Sequence, residues 1–253
     1  MSQPFDPRLH VARADELAGR VILVTGASDG LGRAVAIDCA RHGASVVLVG
    51  RSARKLEAVH TAIEALPPAA EASIAVLDLE NALAADYDRL AQAVLERFGR
   101  LDGLLHNAAL LGTLAPIEHY DVPTWCRVLQ VNLTAPFALT QVLLPALRRS
   151  ADASIVFTTS ALGRHGRAYW GAYAVAQFGI EGLTQTLASE LENLTAIRVN
   201  ALNPGPARTR LRRQAYPAES AAGLPAPEAL TGPYLALLGP ASRGVSGASF
   251  DAQ

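Results

Sequence analysis

A glycine-rich turn near the start of the chain joins an apolar run to a segment of helical periodicity. The run is Val21 to Thr25, the turn reads Thr-Gly-Ala-Ser-Asp-Gly-Leu-Gly over residues 25–32, and the helical pattern covers Gly30 to Arg41. A short β-branched run ended by glycine is typical of a buried strand in a parallel sheet. Glycines let the backbone turn sharply and approach a pyrophosphate, and the start of a helix offers unpaired N–H groups. The arrangement predicts a dinucleotide-binding unit, with a tight turn that holds no ligand as the alternative.

The rest of the chain repeats this alternation of strand and helix. Strands are predicted at residues 45–49, 73–77, 101–105, 154–159, 197–201 and 247–250, and helices at 52–66, 83–98, 123–147, 168–191 and 228–238. Pro67-Pro68 closes the second helix, and Pro136 is expected to kink the long one. The connections are long enough to join parallel strands. We therefore predict an α/β fold: one doubly wound Rossmann-type domain over residues 1–253, with residues 1–19 as an N-terminal extension.

Composition narrows the classes of partner and compartment. The formal net charge of the 253-residue chain is −1, which argues against nucleic acid as the main partner. Cys39 and Cys126 form no close-spaced pair, so neither a disulfide framework nor a thiolate metal site is expected, and a reducing cytoplasm fits. Residues 1–19 carry charges without an apolar run, unlike a signal peptide. No segment is expected to reach the length of a membrane span, and therefore no membrane association is predicted.

Further motifs follow the predicted strands in a fixed order. They are Asn107-Ala108 after the fourth strand, then Asn132, Ser160 and Tyr173, and finally Pro204-Gly205 with Thr209. With the glycine turn they resemble the short-chain dehydrogenase/reductase family over nearly the whole chain, although Ala109 replaces the family's glycine. Residues 25–32, 101–112, 166–173 and 250–253 resemble the bacterial YciK-like oxidoreductases within that family.

The resemblance implies hydride transfer between NAD(P)(H) and a small carbonyl or alcohol substrate. In that mechanism Tyr173 is the acid/base, Ser160 orients the substrate oxygen and Asn132 holds a water. It also implies about seven parallel strands, a homodimer or homotetramer packed through two long helices, and a substrate lid over residues 203–226. The implied cofactor-binding residues are Gly26, Ser28, Asp29, Gly30, Leu31, Gly32, Arg51, Ser52, Asp78, Leu79, Asn107, Ala108, Tyr173, Gln177, Pro204, Gly205 and Thr209.

Gln177 stands where the family carries a lysine that binds the nicotinamide ribose and supports the tyrosine. An ordinary tyrosine has a pKa near about 10, and a nearby cation can lower the pKa of an acid by about 1–3. Losing that cation reduces the reactive phenolate about 10- to 1000-fold. Lys55 is the only lysine, so Arg164, Arg167 or Arg208 would have to restore the charge. Two functions stay open: a slowed or arginine-rescued reductase, and a weak or inactive NADP-binding relative with a regulatory or structural role.

The residues after the second and third predicted strands bear on the choice of cofactor. Arg51 suits the 2′-phosphate of NADP(H) by charge and forked geometry, and Ser52 adds a hydroxyl. Asp29 brings a negative charge to a position where relatives that bind NADP often carry a basic residue. We favour NADP(H) over NAD(H), with a solvated Arg51 as the alternative. Asp78 resembles the family's adenine-contacting aspartate and could instead cap a helix.

Two groups of side chains are candidates for the substrate pocket. The first group, His165, Tyr169 and Trp170, could form an aromatic wall or ordinary packing at a subunit contact. The second group, Arg208, Arg210, Arg212 and Arg213, could recognise an acidic group or form a solvated lid face.

Overall fold

A single parallel sheet of seven strands organises the chain. The computed structural model describes residues 5–66 and 71–253. The strands are β1 (Val21–Thr25), β2 (Ser45–Gly50), β3 (Ala72–Val76), β4 (Gly103–His106), β5 (Ala153–Thr158), β6 (Ile197–Asn203) and β7 (Ser249–Asp251). Their order across the sheet is β3-β2-β1-β4-β5-β6-β7, and every neighbouring pair is parallel. The predicted doubly wound α/β fold is confirmed.

Helices cover both faces of the sheet. They are α1 (Gly30–Arg41), α2 (Ala53–Glu64), α3 (Ala84–Phe98), α4 (Val122–Leu129), α5 (Ala135–Leu147), α6 (Gly171–Leu191), α7 (Arg210–Ala215) and α8 (Gly232–Leu238). Apolar side chains of α3, α5 and α6 pack on one face, and those of α1, α2 and α8 pack on the other. The strands between them are buried on both sides, which explains why they read as continuous apolar runs.

Two predicted helix boundaries need comment. The predicted helix at 168–191 begins only at Gly171, because Tyr169 has a φ of 74°, a left-handed conformation that a helix cannot contain. The predicted helix at 52–66 ends at Glu64. The prolines at 67 and 68 that were expected to close it lie outside the described residues.

The long predicted helix is a composite of α4, a π-helical turn and α5. The turn spans Gln130–Thr134, and the Ala135 N–H bonds to the carbonyl of Gln130, five residues back. Pro136, which has no N–H, follows at once, so the irregularity lies before the expected kink.

The expectation that no segment reaches the length of a membrane span is wrong by length and composition. Val122–Leu147 is long and apolar enough for a span, with 44% of its most apolar stretch buried inside the fold. Its residues Leu139, Leu143 and Leu147 are fully buried in the core against the sheet. Core helices meet the same length and composition criteria, so this helix is weak evidence for a membrane.

Asp152 forms hydrogen-bonded ion pairs with three arginines at the edge of the sheet where the strands begin. Its carboxylate accepts hydrogen bonds from Arg198, from Arg20 Nη1 at 3.1 Å and from Arg243 Nε at 3.1 Å. Burial opposes ionisation of this carboxyl, but the bonds and charges of Arg198 and Arg20 outweigh it and hold the pKa of Asp152 below 3.8. This network fastens β5, β6 and β1 on the side away from the cleft described next.

Candidate active site

A cleft of about 900 Å³ opens where the chain leaves the carboxyl ends of the strands. Most of the predicted site residues line it: Gly26, Ser28, Asp29, Gly30, Leu31, Arg51, Ser52, Asp78, Leu79, Asn107, Ala108, Ser160, Tyr173, Pro204, Gly205 and Thr209. Gly32, Asn132 and Gln177 are outside the set of described residues that form its wall. The topology places this cleft at the edge where ligands of doubly wound sheets bind.

The glycines of the first turn make room for a neighbouring loop. Gly26 has a φ of +68°, and a Cβ there would lie 2.9 Å from the Ala108 Cα. A Cβ on Gly32 would collide with the Gly26 carbonyl and lie 2.5 Å from Asn107 Nδ2. The Thr25 hydroxyl accepts hydrogen bonds from the backbone N–H of Asn107 at 3.0 Å and of Ala108 at 3.2 Å. Gly32 therefore acts behind the cleft wall, where it allows this close packing.

Asp29 in the same turn is neutralised by the only lysine of the chain. Its carboxylate accepts from Lys55 Nζ at 2.9 Å and from the Gly30 N–H at 2.8 Å. The hydrogen bond from Lys55 is the main cause that lowers the pKa of Asp29, and the charge of Arg210 adds to it. The negative charge that opposes NADP in the sequence prediction is therefore offset by the Lys55 ammonium.

The ends of β2 and β3 place two further predicted residues at the cleft. Arg51 is exposed and faces it, and Ser52 precedes α2 without a side-chain capping bond. Asp78 accepts from the Glu80 N–H at 3.2 Å and from Asn81 Nδ2 at 2.8 Å. Asp78 therefore stabilises its own turn and also lines the cleft. It does not cap α3, whose N-cap is Leu83.

Tyr173 lies in the first turns of α6 with its side chain 8% exposed. Burial raises the pKa of its phenol to about 12, against a smaller lowering by the Ser160 hydroxyl. The two groups are close but not aligned, because Ser160 Oγ is buried without a hydrogen bond of acceptable geometry to any described residue. A phenol and a free hydroxyl thus share one dry corner of the cleft.

Gln177 follows one helical turn after Tyr173 and is 4% exposed. Its Oε1 is buried and has no partner among the described residues. The arginines expected to restore the charge are held elsewhere: Arg164 pairs with Asp251 at 3.0 Å, and Arg167 donates to the Tyr216 hydroxyl at 2.9 Å. Arg208 is exposed in the loop that follows β6. The geometry therefore does not favour rescue by an arginine.

Asn132 lies in the π-helical turn, and both polar atoms of its side chain form hydrogen bonds with the backbone of Leu110. Its Oδ1 accepts from the Leu110 N–H at 2.7 Å, and its Nδ2 donates to the Leu110 carbonyl at 2.8 Å. The amide fixes the loop after β4, in which Leu110 and Leu111 line the cleft. The water-holding role of Asn132 stays a prediction.

The aromatic wall is formed by only part of the predicted trio. His165 and Trp170 line the cleft, whereas Tyr169 lies outside its lining and is 60% exposed. Trp170 packs beside Tyr173 at 5.8 Å between ring centroids and beside Tyr216 at 5.7 Å. Tyr216 was not identified from the sequence, because nothing in its local pattern separates it from a solvent-facing lid residue.

The predicted lid segment, residues 203–226, contains α7, and its part up to Tyr216 lines the cleft. The loop is closed by the Arg208 N–H, which bonds to the Pro225 carbonyl at 2.9 Å. A Cβ on Gly30 would lie 3.4 Å from Thr209 Cγ2, so the segment reaches the glycine turn. Gln253, which belongs to the segment 250–253 but was given no role from the sequence, donates from Nε2 to the carbonyls of Pro204 at 2.6 Å and Pro206 at 2.9 Å.

The comparison with known families decides the identity of the chain. The family model described as short chain dehydrogenase matches residues 20–220. The chain belongs to the short-chain dehydrogenase family. The resemblance that its motifs carry is thereby confirmed at the level of the family.

Individual short-chain dehydrogenases are similar to this chain over nearly its whole length. The oxidoreductase YciK of Escherichia coli K12, itself uncharacterized, is 44% identical over 241 residues, which cover 95% of this chain and 94% of the relative. A short chain dehydrogenase structure from Pseudomonas syringae is 50% identical with a TM-score of 0.94, covering 96% of this chain and 98% of that one. One from Escherichia coli CFT073, in complex with NADPH, is 46% identical with a TM-score of 0.90, covering 95% and 99%.

Proposed function

We propose that the chain is an NADP(H)-dependent oxidoreductase that interconverts a carbonyl compound and an alcohol by hydride transfer. The observation that carries the proposal is the Tyr173 phenol beside the Ser160 hydroxyl, in a cleft that begins at the glycine turn. Membership of the short-chain dehydrogenase family supports the reaction class. A buried acid next to a second hydroxyl is what proton transfer to a carbonyl oxygen requires.

NADP(H) is the proposed cofactor, and the residues present fit it. Arg51 offers an exposed guanidinium at the end of β2, and no carboxylate pairs with it within the described chain. The Oε1 of Gln177 is a buried acceptor without a partner in those residues, as a ribose hydroxyl would need. A structure from Escherichia coli CFT073 that is 46% identical binds NADPH. When bound, this cofactor supplies or accepts the hydride.

The residues of this chain perform the proton chemistry. In reduction Tyr173 donates its phenolic proton to the carbonyl oxygen, and in oxidation its phenolate accepts the proton of the alcohol. Ser160 donates a hydrogen bond that orients the substrate oxygen. Asn132 acts as a positioning residue, because its side chain holds the Leu110 backbone and so shapes the cleft. The water-holding role of Asn132 is also part of the proposal.

We expect alcohol oxidation to be slow in wild type. A phenol whose pKa is about 12 presents about a hundredfold less phenolate at neutral pH than an ordinary tyrosine. Gln177 supplies no charge to reverse this effect of burial. The same observation favours the second candidate, a weak or inactive NADP-binding relative with a regulatory or structural role.

NADPH binding and turnover separate these candidates. Tryptophan-quenching titration with NADPH and NADH measures binding, and NADPH oxidation with a panel of aldehydes and ketones measures activity. The slowed reductase predicts micromolar or tighter NADPH binding and a low turnover that Gln177→Lys raises. NADPH binding without turnover in either protein would favour the inactive relative. Failure to bind either nucleotide would contradict both candidates.

The proposal also covers the oligomeric state of the protein and its location in the cell. We propose a homodimer or homotetramer that packs through α5 and α6. Exposed apolar side chains on these helices support it, with Phe137 50%, Val175 45% and Phe178 46% exposed. Two free cysteines, Cys39 and Cys126, fit a cytoplasmic location. Analytical ultracentrifugation of the protein tests the association.

A further inference from the structure

A second cavity of about 640 Å³ lies under the lid next to the main cleft. Its lining carries five cationic residues, Lys55, Arg208, Arg210, Arg212 and Arg213. Only two acidic residues, Asp29 and Glu219, join them among the described residues. The cavity therefore has a pronounced positive character in a chain whose net charge is close to zero.

Both acidic groups of this cavity are already neutralised. Asp29 is paired with Lys55 at 2.9 Å. Glu219 accepts two hydrogen bonds from Arg212, at 2.7 Å from Nε and 2.6 Å from Nη2. The remaining arginines at 208, 210 and 213 have no carboxylate partner in the part of the chain that is described. Like charges held in one pocket repel each other, and an incoming anion would relieve that repulsion.

A row of aromatic rings connects this cavity with the proposed acid/base. Trp170 lies 5.8 Å from the Tyr173 ring and 5.7 Å from the Tyr216 ring, measured between centroids. The Arg212 guanidinium carbon lies 3.8 Å above Tyr216, which lines both cavities. An elongated substrate could therefore lie along this wall, with its carbonyl at Tyr173 and its far end under the lid.

The cavity is distinct from the proposed 2′-phosphate position. Arg51 and Ser52 line the main cleft and are not among the described residues that line the second cavity. Arg208 and Arg213 show the reverse pattern and line only the second cavity. The two cavities share Asp29, Lys55, Thr209, Arg210, Arg212 and Tyr216. Of the arginines proposed to bind the oxyanion, Arg208 and Arg213 are therefore the two that the main cleft does not share.

We propose that this cavity, bounded by Arg208, Arg210 and Arg213, binds the oxyanion end of an elongated carbonyl substrate. The oxyanion is a carboxylate or a phosphate at the end of an aliphatic or aryl chain. Forked guanidinium donors recognise such groups by geometry as well as charge. This inference rests on the proposed function, because it assigns a substrate class to the same site. It makes the lid the element that selects substrates.

The test compares charged and neutral versions of one substrate. NADPH oxidation is followed with aliphatic aldehydes of increasing chain length that end in a carboxylate, a phosphate or a methyl ester. In wild type we expect kcat/KM for the charged aldehydes to exceed that for the ester by about tenfold or more. In Arg208→Gln/Arg213→Gln the ratio should fall close to one. Arg13→Gln/Arg148→Gln, which removes two exposed arginines far from the cavity, should keep it.

Binding supplies a readout that does not depend on turnover. The hydroxy acids that correspond to the carboxylate-ended aldehydes of the series are titrated by calorimetry into protein saturated with NADP⁺. Arginine-dependent binding supports the cavity even if no aldehyde is reduced, in which case the proposed reaction alone fails. Equal kcat/KM for acid and ester in wild type would overturn the inference. So would an acid preference that survives in Arg208→Gln/Arg213→Gln, or a loss of NADPH affinity as the only effect of that variant.

Discussion

Gln253 donates a hydrogen bond of 2.6 Å from its side-chain amide to the carbonyl oxygen of Pro204. The second amide hydrogen reaches the Pro206 carbonyl at 2.9 Å, so one side chain spans the intervening Gly205. A Cβ on Gly205 would lie 2.6 Å from Gln253 Nε2, which shows how closely the two segments pack. The end of the sheet beyond β7 thus holds the loop in which the cofactor-binding residues Pro204, Gly205 and Thr209 are proposed.

Gln253→Ala should weaken cofactor binding more than the chemical step. The variant frees two carbonyl oxygens and loosens the loop, for a cost of about 1–3 kcal/mol. We expect the KM for NADPH to rise about 5- to 50-fold while kcat changes less than about threefold. Steady-state kinetics measure both constants. Gln92→Ala, which removes an exposed glutamine on α3, is the control, and equal KM values in the two variants would contradict the prediction.

Gln177→Lys should raise turnover about tenfold or more. The ammonium would lie one helical turn from Tyr173 and favour its phenolate, because an opposite charge lowers the pKa of an acid by about 1–3. Gln177→Met keeps the length of the side chain without charge or hydrogen bonds and should raise the KM for NADPH without raising kcat. Single-turnover NADPH oxidation measures the chemical step. A fast wild type that Gln177→Lys leaves unchanged would refute this view of the site.

Alcohol oxidation should become faster with increasing pH throughout the accessible alkaline range. In the proposed mechanism the phenolate of Tyr173 accepts the proton of the alcohol, and burial raises the pKa of the phenol to about 12. As long as the pH stays below that pKa, each increase of one pH unit should therefore raise kcat/KM for the alcohol about tenfold. In Gln177→Lys the curve should level off at lower pH. A plateau in wild type near neutral pH would show that another group is the base, and Tyr173→Phe tests the assignment directly.

Asp152→Ala should destabilise the fold by about 3 kcal/mol at neutral pH. That cost is at the lower end of the range for a broken buried ion pair, since the Asp152 side chain is 14% exposed. The folded-state pKa of Asp152 is depressed below 3.8, so its contribution is present above that pH and lost as pH falls through the folded value. Urea unfolding of wild type and variant should therefore differ clearly at pH 7 and converge in strong acid. A difference independent of pH would contradict the assignment of the effect to ionised Asp152.

The local sequence pattern was sufficient to predict the strands and helices of the fold and the edge of the sheet at which the cleft lies. The β1–turn–α1 unit follows from a β-branched run, three glycines and apolar residues at helical spacing, so its bounds at Val21–Thr25 and Gly30–Arg41 were predictable. The cleft could be located because parallel strands bring their carboxyl ends to one edge. Boundaries failed where a single backbone angle decided them, as at Tyr169, whose positive φ has no sequence signature.

The sequence could not supply what depends on contacts between distant segments. Burial raises the pKa of Tyr173 to about 12, and that burial depends on packing with residues distant in sequence, such as Leu111 and Ala215. The bond from Gln253 to Pro204 joins residues 49 positions apart, and the resemblance of residues 250–253 to a known subfamily does not reveal that contact. The lack of a Cβ on Gly32 makes room for the side chain of Asn107, and the contact of Gly32 with a cofactor stays a prediction. Such features require the tertiary arrangement.

The amine of Lys55, which pairs with Asp29, is a position at which a chemical label can be attached selectively. Apart from the N-terminal amine, Lys55 provides the only primary amine of the sequence, and its side chain is 44% exposed at the mouth of both cavities. An amine-directed fluorophore attached there would sense nucleotides entering on one side and acidic compounds entering on the other. Protection of this amine by either kind of molecule could then be followed without any engineered mutation.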